Sequence, residues 1–579
     1  MKIKHLFGLA VIAAMTASCS SNEDLGTAGP GTGNNEAGVG YATFTINLPS
    51  VSGTRAADAG GAEMNEGSAE EYAVKSATAL IFQKYGSDEG SYKFVESVTL
   101  PIDGWTDDPK DGITTTSKKL IAKLTNVDTK NDYSVLILLN NTKVALPTVG
   151  QSYNDWNSKN ILTLSATDWA GSDGFYMANA PLKGSAASPT TLVTIDKNKI
   201  YASKAKAEED ASECAATVFV ERGVAKMSVA TPGTIIVKDK ANPTATTKKS
   251  EVNFSNWALD ITNKKTFAVH NIDGLSSDFS TIWKTDPSNR FIGTNNRVYW
   301  GTDPNYNLAG LNTADDDAKR KKEFNFITAT SDINKAFDKP VYCLENTFNL
   351  ANMYQGQTTR VIFKATYTPK DDTGADLADT GGTFYTIGNM TTILKLADLK
   401  TAVVAAADAV LPGCVVAYKN LEKAGSHVIT LEDIKENASS TTHLDGATKY
   451  GTGLKTGEDI VAAINDKLGL KAGRPEEMVG INTYLEGATY YIARVKHFGD
   501  AKTSWNSGES YSDNNAKYLG RYGMLRNNWY ELQVGNVYGP GYPGVPPVDP
   551  TLPDDENEKY LSVSVKILSW AKRTDTVDL

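Results

Sequence analysis

The stretch ATFTINL, residues 42–48, alternates apolar and polar side chains with a period of two. Its apolar members are Ala42, Phe44, Ile46 and Leu48. Successive side chains of a β-strand point to opposite faces of the sheet, so this alternation is typical of a half-buried strand. We therefore expect a strand here, with these four side chains facing a core.

The same pattern recurs along the chain in short segments separated by Gly, Asp, Asn and Pro. The clearest are Ala79–Gln83, Tyr133–Leu139, Thr217–Val220, Ala225–Ala230, Thr359–Tyr367 and Thr489–Lys496. Many short strands with turn signals between them favour β-sandwiches over alternating α/β layers. The predicted fold class is mainly β.

Helical patterns are confined to one island, residues 394–470. Leu394–Val410 is rich in Ala and Leu, and Thr430–Asp433 and Thr456–Asp459 both resemble capping boxes that open short helices. We expect a small helical insertion in the second half of the chain, with its Ala-rich face used for packing.

Composition narrows the function classes. The 579 residues carry a net charge of −10, which disfavours nonspecific binding to nucleic acid or to anionic membranes. Five His and four Cys argue against a multi-metal enzyme or a disulfide-rich scaffold. The three internal cysteines, Cys214, Cys343 and Cys414, are expected to be free thiols, although one disulfide is possible. The mean hydropathy of −0.33 argues against a polytopic membrane protein.

The first 18 residues are typical of an export signal. A positively charged start precedes the short apolar core Leu6–Met15. Small residues then lead to Cys19, which predicts a lipidated cysteine; an ordinary secretory cleavage site is the alternative. Residues 19–40 follow as a predicted flexible tether that is rich in Gly, Asn and Thr.

The far end of the chain carries a second isolated strand signal. Residues 539–558 are rich in Pro, Gly and acidic side chains and predict a semi-rigid linker. Beyond them Leu561, Val563, Val565 and Ile567 alternate with polar residues. A terminal strand needs a sheet to complete, because an unpaired one promotes aggregation.

One mechanism uses both ends of the chain. The strand 42–48 is followed by a run of small residues around the lone Arg55, which predicts a protease site between Arg55 and Ala56. If the N-terminal strand is cut off, the C-terminal strand of a neighbour can occupy its groove by β-augmentation. Such a head-to-tail contact generates an open filament. The alternative is that both terminal strands pair within one subunit.

The sequence contains no motif for catalysis, for a cofactor or for a metal. His-Glu-x-x-His, Gly-x-Ser-x-Gly, phosphate-binding and EF-hand patterns are missing from the sequence. We therefore expect that the protein is not an enzyme. Aromatic loops such as Trp505–Tyr522 leave open a monomeric surface lipoprotein that binds glycans, and a hydrolase with spatially assembled carboxylates is a third alternative.

Several segments resemble the fimbrillins of the Bacteroidales, the major and accessory subunits of type V pili (the FimA and Mfa type). Val220–Met227 is similar to the family's Arg-x-x-Ala-Lys strand, and Val341–Thr347 with Thr358–Ala365 is similar to second-domain strands of its Mfa branch. Gly523–Tyr530 resembles the last regular strand before the C-terminal tail. The order of signal, cysteine, strand, arginine and terminal strand fits as well.

The resemblance implies two transthyretin-like β-sandwich domains, at residues 56–245 and 246–538, the second carrying the insertion 394–470. It also implies a role for each terminal residue singled out above. Cys19 would carry lipid, Arg55 would precede the cut made by an Arg-specific protease, and residues 41–55 would be the segment removed. The donor strand, within residues 559–579, would be Leu561–Ile567 with Trp570.

The function implied is that of a stalk subunit, exported to the outer membrane as a lipidated precursor and then built into a cell-surface fimbrium that supports adhesion and biofilm formation. Its partners would be further copies of itself, tip and anchor subunits, the maturation protease and an unidentified surface receptor. No cofactor and no nucleic acid are implied, and the membrane is reached only through the lipid on Cys19. An accessory or tip adhesin is the alternative within the family.

Overall fold

A computed structural model of the chain describes residues 33–35, 37–49, 64–65, 67–103, 105, 107–108, 113–114, 117–183, 189–209, 214–242, 244, 249–273, 275, 291, 297–388, 392–471, 479–498, 503–506, 517–554 and 561–570. Cys19, Arg55 and Ala56, together with the predicted signal segment 1–18, lie outside these ranges. None of the helices within them combines the length and the apolarity that crossing a bilayer requires.

Most of the regular secondary structure in the first half of the described chain is β-strand. They are β1 (Gly40–Asn47), β2 (Met64–Asn65), β3 (Ala77–Gln83), β4 (Lys93–Thr99), β5 (Asp107–Asp108), β6 (Ile113–Thr114), β7 (Ser117–Leu124), β8 (Tyr133–Leu139), β9 (Leu162–Thr163), β10 (Met177–Asn179), β11 (Val193–Ile195), β12 (Ile200–Tyr201), β13 (Ala216–Arg222), β14 (Val224–Val229) and β15 (Ile235–Ile236).

The second half continues in the same way. Its strands are β16 (Glu251–Asp260), β17 (Thr262–Asn263), β18 (Lys265–Thr266), β19 (Phe324–Asn325), β20 (Val341–Leu344), β21 (Arg360–Thr368), β22 (Phe384–Ile387), β23 (Val415–Val416), β24 (Gly425–His427), β25 (Ile434–Lys435), β26 (Lys449–Tyr450), β27 (Lys455–Thr456), β28 (Ile481–Tyr484), β29 (Ala488–Arg494), β30 (Asn528–Val537) and β31 (Leu561–Trp570).

Helices are few and short in the described ranges. The α-helices are α1 (Tyr153–Trp156), α2 (Lys204–Glu209), α3 (Asp317–Glu323), α4 (Leu396–Asp408) and α5 (Gly457–Leu468). Single 3-10 turns lie at Ala69–Glu71, Glu89–Ser91, Ala166–Asp168, Lys197–Lys199, Ala314–Asp316, Thr330–Asp332, Leu350–Asn352, Leu431–Asp433 and Leu485–Gly487. The predicted mainly-β class is confirmed.

The N-terminal half forms one nine-stranded sheet in two layers. Its order is β12-β1-β13-β10-β8-β3-β4, with β7 added on β1 and β11 on β8. Strand β13 pairs with β1 through Ala216–Phe219 and with β10 through Val220–Arg222, so it passes from one part of the sheet to the other. The layers enclose a single apolar core that contains Phe44 and Ile137.

Two further large sheets face one another, and most of their strands come from the second half of the chain. The first has the order β2-β31-β30-β14-β20 and the second β15-β16-β21-β29. One apolar cluster takes Tyr530 and Leu532 from the first sheet, and Trp257 and Phe363 from the second. Two sheets that bury their apolar faces on a common core form a β-sandwich.

A continuous chain joins the two halves, because only Gly223 separates β13 from β14. A Cβ atom built on Gly223 would lie 2.6 Å from the ring of Trp169 and 3.0 Å from that of Tyr176. No side chain fits there, so glycine allows the chain to cross between the sheets in direct contact with these rings.

The insertion of residues 394–470 holds two helices, α4 and α5, around an apolar core of its own that includes Leu399, Val403, Ile460 and Ile464. The hydroxyl of Thr456 caps α5, accepting a hydrogen bond from the Asp459 N–H at 3.2 Å, as the capping pattern predicts. The helix predicted to begin at Thr430 is much shorter than expected. Thr430 opens only the 3-10 turn Leu431–Asp433, because the chain enters strand β25 directly afterwards.

The internal cysteines are free thiols. Cys343 is buried in β20, and Cys214 and Cys414 are half-buried. Burial raises the pKa of the Cys343 thiol to about 12, so it remains a protonated apolar group in the core.

Candidate functional site

The N-terminal strand β1 lies inside the sheet, with neighbours on both sides. It pairs antiparallel with β7 along its whole length, from Gly40 opposite Leu124 to Asn47 opposite Ser117. On the other side it pairs in parallel with the first half of β13, and its first residues also meet β12. Strand β1 therefore contributes to the interior of a sheet and not to an edge.

The apolar face of β1 is completely covered. Ala42, Phe44 and Ile46 have no exposed surface, and Leu48 is only 1% exposed. Polar contacts at Thr43 also hold the strand. Its side-chain Oγ1 donates to the Ala207 carbonyl at 3.2 Å, and its backbone carbonyl accepts from the Ala215 N–H at 2.8 Å. Withdrawing this strand would leave an apolar groove between β7 and β13.

The C-terminal strand β31 is held differently. It pairs antiparallel with β30, from Asn528 opposite Ser569 to Val537 opposite Leu561, with an irregularity between Val534 and Val537. On its other edge, the pairs among the described residues are the two with β2, Met64–Ser569 and Asn65–Trp570. The structure describes the backbone of Leu561, Val563, Val565, Ile567 and Trp570 within this strand, but not their side chains.

The two terminal strands lie in different sheets, and both pair within the same chain. The first strand that the structure describes after the predicted cleavage position, β2, nevertheless pairs with the end of β31. The structure thus brings together the segment that follows Arg55 in sequence and the strand predicted to be the donor.

A buried ionic cluster fixes the chain immediately after β2. The Glu71 carboxylate accepts from Lys226 at 2.8 Å and from the Tyr342 hydroxyl at 2.6 Å, while Arg222 Nε donates to the Glu71 carbonyl at 2.9 Å. The Lys226 ammonium also lies 3.4 Å from the ring centre of Trp529. Burial alone would raise the pKa of Glu71, but the charge and hydrogen bond of Lys226 hold it below its ordinary value.

This cluster explains a motif whose partner the sequence analysis missed. Arg222 and Lys226 are the charged residues of the Arg-x-x-Ala-Lys pattern, and both bind Glu71. The signal that could have revealed Glu71 is its capping box with Ser68, in which the Ser68 N–H donates to the Glu71 carboxylate at 3.1 Å.

A second buried cluster lies at the end of β13. His270 Nδ1 is 2.6 Å from one Glu221 oxygen, and Arg297 binds the other oxygen. Burial would raise the pKa of Glu221, but the charges of His270 and Arg297 outweigh it and hold the pKa at about 2. His270 is thus a structural partner of a carboxylate. Within the described ranges, no group of three or more His, Cys, Asp or Glu side chains could hold a metal ion.

The segment expected to be a semi-rigid linker is packed against the second half through Asp554. The Tyr491 and Tyr484 hydroxyls donate to the carbonyls of Gly539 and Gly541, at 2.9 and 2.8 Å. The guanidinium of Arg360 donates to the carbonyls of Pro546 and Pro547, at 2.6 and 3.0 Å. Residues 539–554 therefore form a strap, which we name the C-terminal strap, and residues 555–558 lie outside the described ranges.

The aromatic loop considered for glycan binding contributes to the core where the structure describes it. Tyr518 and Tyr522 are fully buried, in a cluster with Trp300 and Phe498. Rings that are buried in a core offer no face for a sugar to stack on, so these two residues do not support a glycan platform.

Comparison with known proteins bears on the C-terminal part of the chain. Residues 482–576 match the family model described as major fimbrial subunit protein type IV, fimbrillin, C-terminal. The resemblance to fimbrillins is thereby confirmed over the region from β28 to beyond β31. No curated protein matches the chain.

Among solved structures, one of a candidate cell adhesion protein from Parabacteroides distasonis is similar at 10% identity with a TM-score of 0.38. The alignment covers 92% of this chain and 98% of that chain.

Proposed function

We propose that this chain is a structural subunit of a cell-surface fimbrium and not an enzyme. The match of residues 482–576 to the fimbrillin C-terminal family supports this function, since it covers both β30 and the terminal strand β31. The subunit polymerises head to tail with further copies of itself and takes part in adhesion.

The observation that carries the proposal is the placement of β1. This strand is the one that the proposed cut after Arg55 would detach, and it fills an interior position between β7 and β13. Its departure would unpair two rows of backbone groups and uncover the pocket of Phe44. A strand from a neighbour restores both the hydrogen bonds and the apolar contacts, which makes donor-strand exchange favourable.

The terminal strand has a matching spacing. Leu561, Val563, Val565 and Ile567 repeat every second residue, as do the four apolar residues of β1. Each buried aliphatic side chain contributes about 1.5–3 kcal/mol, so four of them offset much of the cost of ordering the strand. Trp570 extends the donor beyond this repeat.

The finer steps of the proposal follow the order of the chain. Cys19 carries the lipid that brings the precursor to the outer membrane, and an Arg-specific protease cuts between Arg55 and Ala56. The subunit then enters the stalk, with separate tip and anchor subunits at the two ends of the fibre. Until the cut, the lipid on Cys19 is the precursor's contact with the membrane, and the assembled fibre is what binds the surface receptor.

The test is assembly after controlled cleavage. We expect the mature protein, treated with an Arg-specific protease, to form ladders that resist SDS, and the Arg55→Ala variant to remain monomeric. A chain ending at Glu558 should be cleaved without forming ladders, because it has no donor strand. A Val563→Asp variant should likewise be cleaved without forming ladders. Ser564→Asp, at the neighbouring position, is the matched control.

A cleaved wild-type protein that stays monomeric would contradict the stalk function. Glycan arrays and mixing with other fimbrial subunits would then distinguish a monomeric glycan-binding lipoprotein from an accessory or tip adhesin.

A further inference from the structure

The C-terminal strap ends at a carboxylate that is completely buried. Asp554 has no exposed surface, and its Oδ2 accepts a hydrogen bond from the Thr358 hydroxyl at 2.5 Å. Its Oδ1 lies 3.6 Å from Nε of Arg494, whose side chain is only 1% exposed. A charge at this depth is tolerated only where opposite charge and hydrogen bonds compensate it, so the site is built around this carboxylate.

Backbone contacts bring the strap to this point. The Gln355 N–H donates to the Leu552 carbonyl at 3.0 Å, and its side-chain amide donates to the Pro553 carbonyl at 3.1 Å. A Cβ atom on Gly356 would lie 2.8 Å from Pro550, so the two segments touch without space for a side chain. These contacts hold residues 550–554, the last five of the strap. Arg360 binds the strap at an earlier point, Pro546 and Pro547.

The anchoring groups do not belong to the strand that holds β31. Arg494 is the last residue of β29, and Thr358 lies two residues before β21. Strands β21 and β29 belong to the sheet that faces the one containing β30. Separation of β31 from β30 would therefore leave the contacts of Asp554 with Arg494 and Thr358 in place.

We infer that Asp554 is a positioning residue for polymerisation, which fixes the point at which the C-terminal strand leaves its own subunit for the groove of a second copy. The inference rests on the proposed donor-strand function. Residues 539–554 stay bound to the parent subunit in the fibre, and only the chain beyond Asp554 changes its partner. Seven Cα–Cα steps join Asp554 to Leu561, so the acceptor groove must begin within about 25 Å of this anchor.

The anchor acts by shortening the connection between subunits. With the strap released, the connection would begin near Val537 and would gain 17 residues, which would permit many relative positions of neighbouring subunits. When the strap is bound, few relative positions of two subunits allow the short connection to reach from Asp554 to the acceptor groove. The spacing of subunits along the fibre is therefore uniform.

The test compares amide hydrogen exchange of residues 539–554 in the monomer and in assembled fibres. We expect the wild-type protein to keep the same protection in both states, while the exchange of residues 561–570 changes. Asp554→Ala should raise the exchange rate of residues 539–554 by about tenfold or more, because it leaves Arg494 buried without this carboxylate. Asp549→Ala, in the same strap but only half-buried, is the matched control.

A second readout concerns the fibres themselves. Asp554→Ala subunits should still form ladders that resist SDS, but electron microscopy should show a broader distribution of subunit spacing than for the wild type. Asp554→Asn removes the charge but preserves the shape of the side chain. Comparing it with Asp554→Ala separates the effect of the lost charge from a failure to fold.

The outcomes separate this inference from the proposed function. Wild-type ladders in which residues 539–554 exchange as fast as in the Asp554→Ala variant would overturn the anchor and leave polymerisation intact. Unchanged spacing in fibres of the Asp554→Ala variant would also overturn it. Absence of ladders from cleaved wild-type protein would overturn polymerisation, and the anchor together with it.

Discussion

The two terminal strands are alike in sequence and opposite in their surroundings. Strand β1 has a full-length neighbour on one side and β13 and β12 on the other, and its apolar side chains are sealed in a core. Strand β31 has one full-length neighbour, β30, and meets β2 at only two residues. Period-two alternation reports that a strand has an apolar face, but not how firmly a sheet holds that strand.

The difference indicates how the proposed exchange can be controlled. An interior strand cannot peel away without breaking pairs on both of its edges, so β1 stays in place while the chain is intact. Strand β31 pairs along its length with β30 and, among the described residues, at two positions with β2, so fewer pairs have to break before it can leave. In the proposed exchange, the cut would therefore be needed at the N-terminal strand, where more pairs have to break.

Removal of each strand in turn gives the largest expected contrast. A chain that begins at Ala56 should lose protection from amide exchange in β8, because the core loses the burial of Phe44, Ile46 and Leu48, about 5–9 kcal/mol in gross terms. A chain that ends at Glu558 should keep β8 fully protected.

A synthetic peptide of residues 40–49 should restore the protection of β8, and the same peptide with Phe44→Asp should not. Retention of full protection in the chain that begins at Ala56, without any peptide, would show that β1 is dispensable and would erase the contrast.

Truncation of a single side chain sharpens the comparison within β1. Phe44→Ala should lower the free energy of unfolding by about 3–5 kcal/mol, because it leaves a cavity in a closed core. Thr45→Ala, on the half-buried face of the same strand, should cost about 1 kcal/mol or less. Urea unfolding of the uncleaved protein measures both values. Equal effects would mean that the apolar face of β1 is not what holds it.

Acid should weaken the sheet that holds β1 through Glu221 on β13. The folded-state pKa of about 2 lies below the ordinary value of 4.5, so this carboxylate stabilises the fold above pH 4.5. That contribution, on the order of 3 kcal/mol, is lost as the pH falls from 4.5 towards 2. Unfolding of wild type and Glu221→Gln between pH 7 and pH 2 measures it.

The Glu221→Gln variant should be less stable at neutral pH and should lose less stability on acidification. Glu208→Gln, at an exposed position on α2, is the control and should follow the wild-type profile. Parallel profiles for wild type and Glu221→Gln would contradict the assignment.

The smallest effect tests the polar face of β1. Thr43→Val removes the hydroxyl that donates to the Ala207 carbonyl and should cost about 1 kcal/mol. Thr99→Val, at an exposed position of β4, should leave the free energy of unfolding nearly unchanged. A thermal or urea melt compares the two, and a larger loss for Thr99→Val would show that polar contacts do not hold β1 in place.

Local patterns in the sequence located several of the longer strands. Tyr133–Leu139 was predicted with the bounds of β8, and Ala225–Ala230 differs from β14 by one residue at each end. The Thr456 capping box identified the start of α5. These signals succeed because strand alternation and helix capping depend on residues within a few positions of one another.

Pairing and packing over long distances could not be predicted in the same way. Nothing near Gly40–Asn47 reveals that the strand lies antiparallel to β7 and parallel to β13, because register depends on residues far away in the chain. The strap was expected to be a linker because Pro and Gly report local backbone preferences. They carry no information on the distant Arg360 and Arg494 that bind it.

The pairing of β1 has a mechanical consequence. The hydrogen bonds of an antiparallel ladder run across the strand axis, and β1 meets β7 in eight consecutive registered pairs. A pull along the strand loads all of these pairs in shear at once, whereas a pull across the sheet would open them one after another. A neighbour's strand seated in this position would thus join subunits through a shear joint. Tension along the fibre would then be resisted by the whole length of the joint, and its lifetime under load would be set by the barrier to simultaneous rupture.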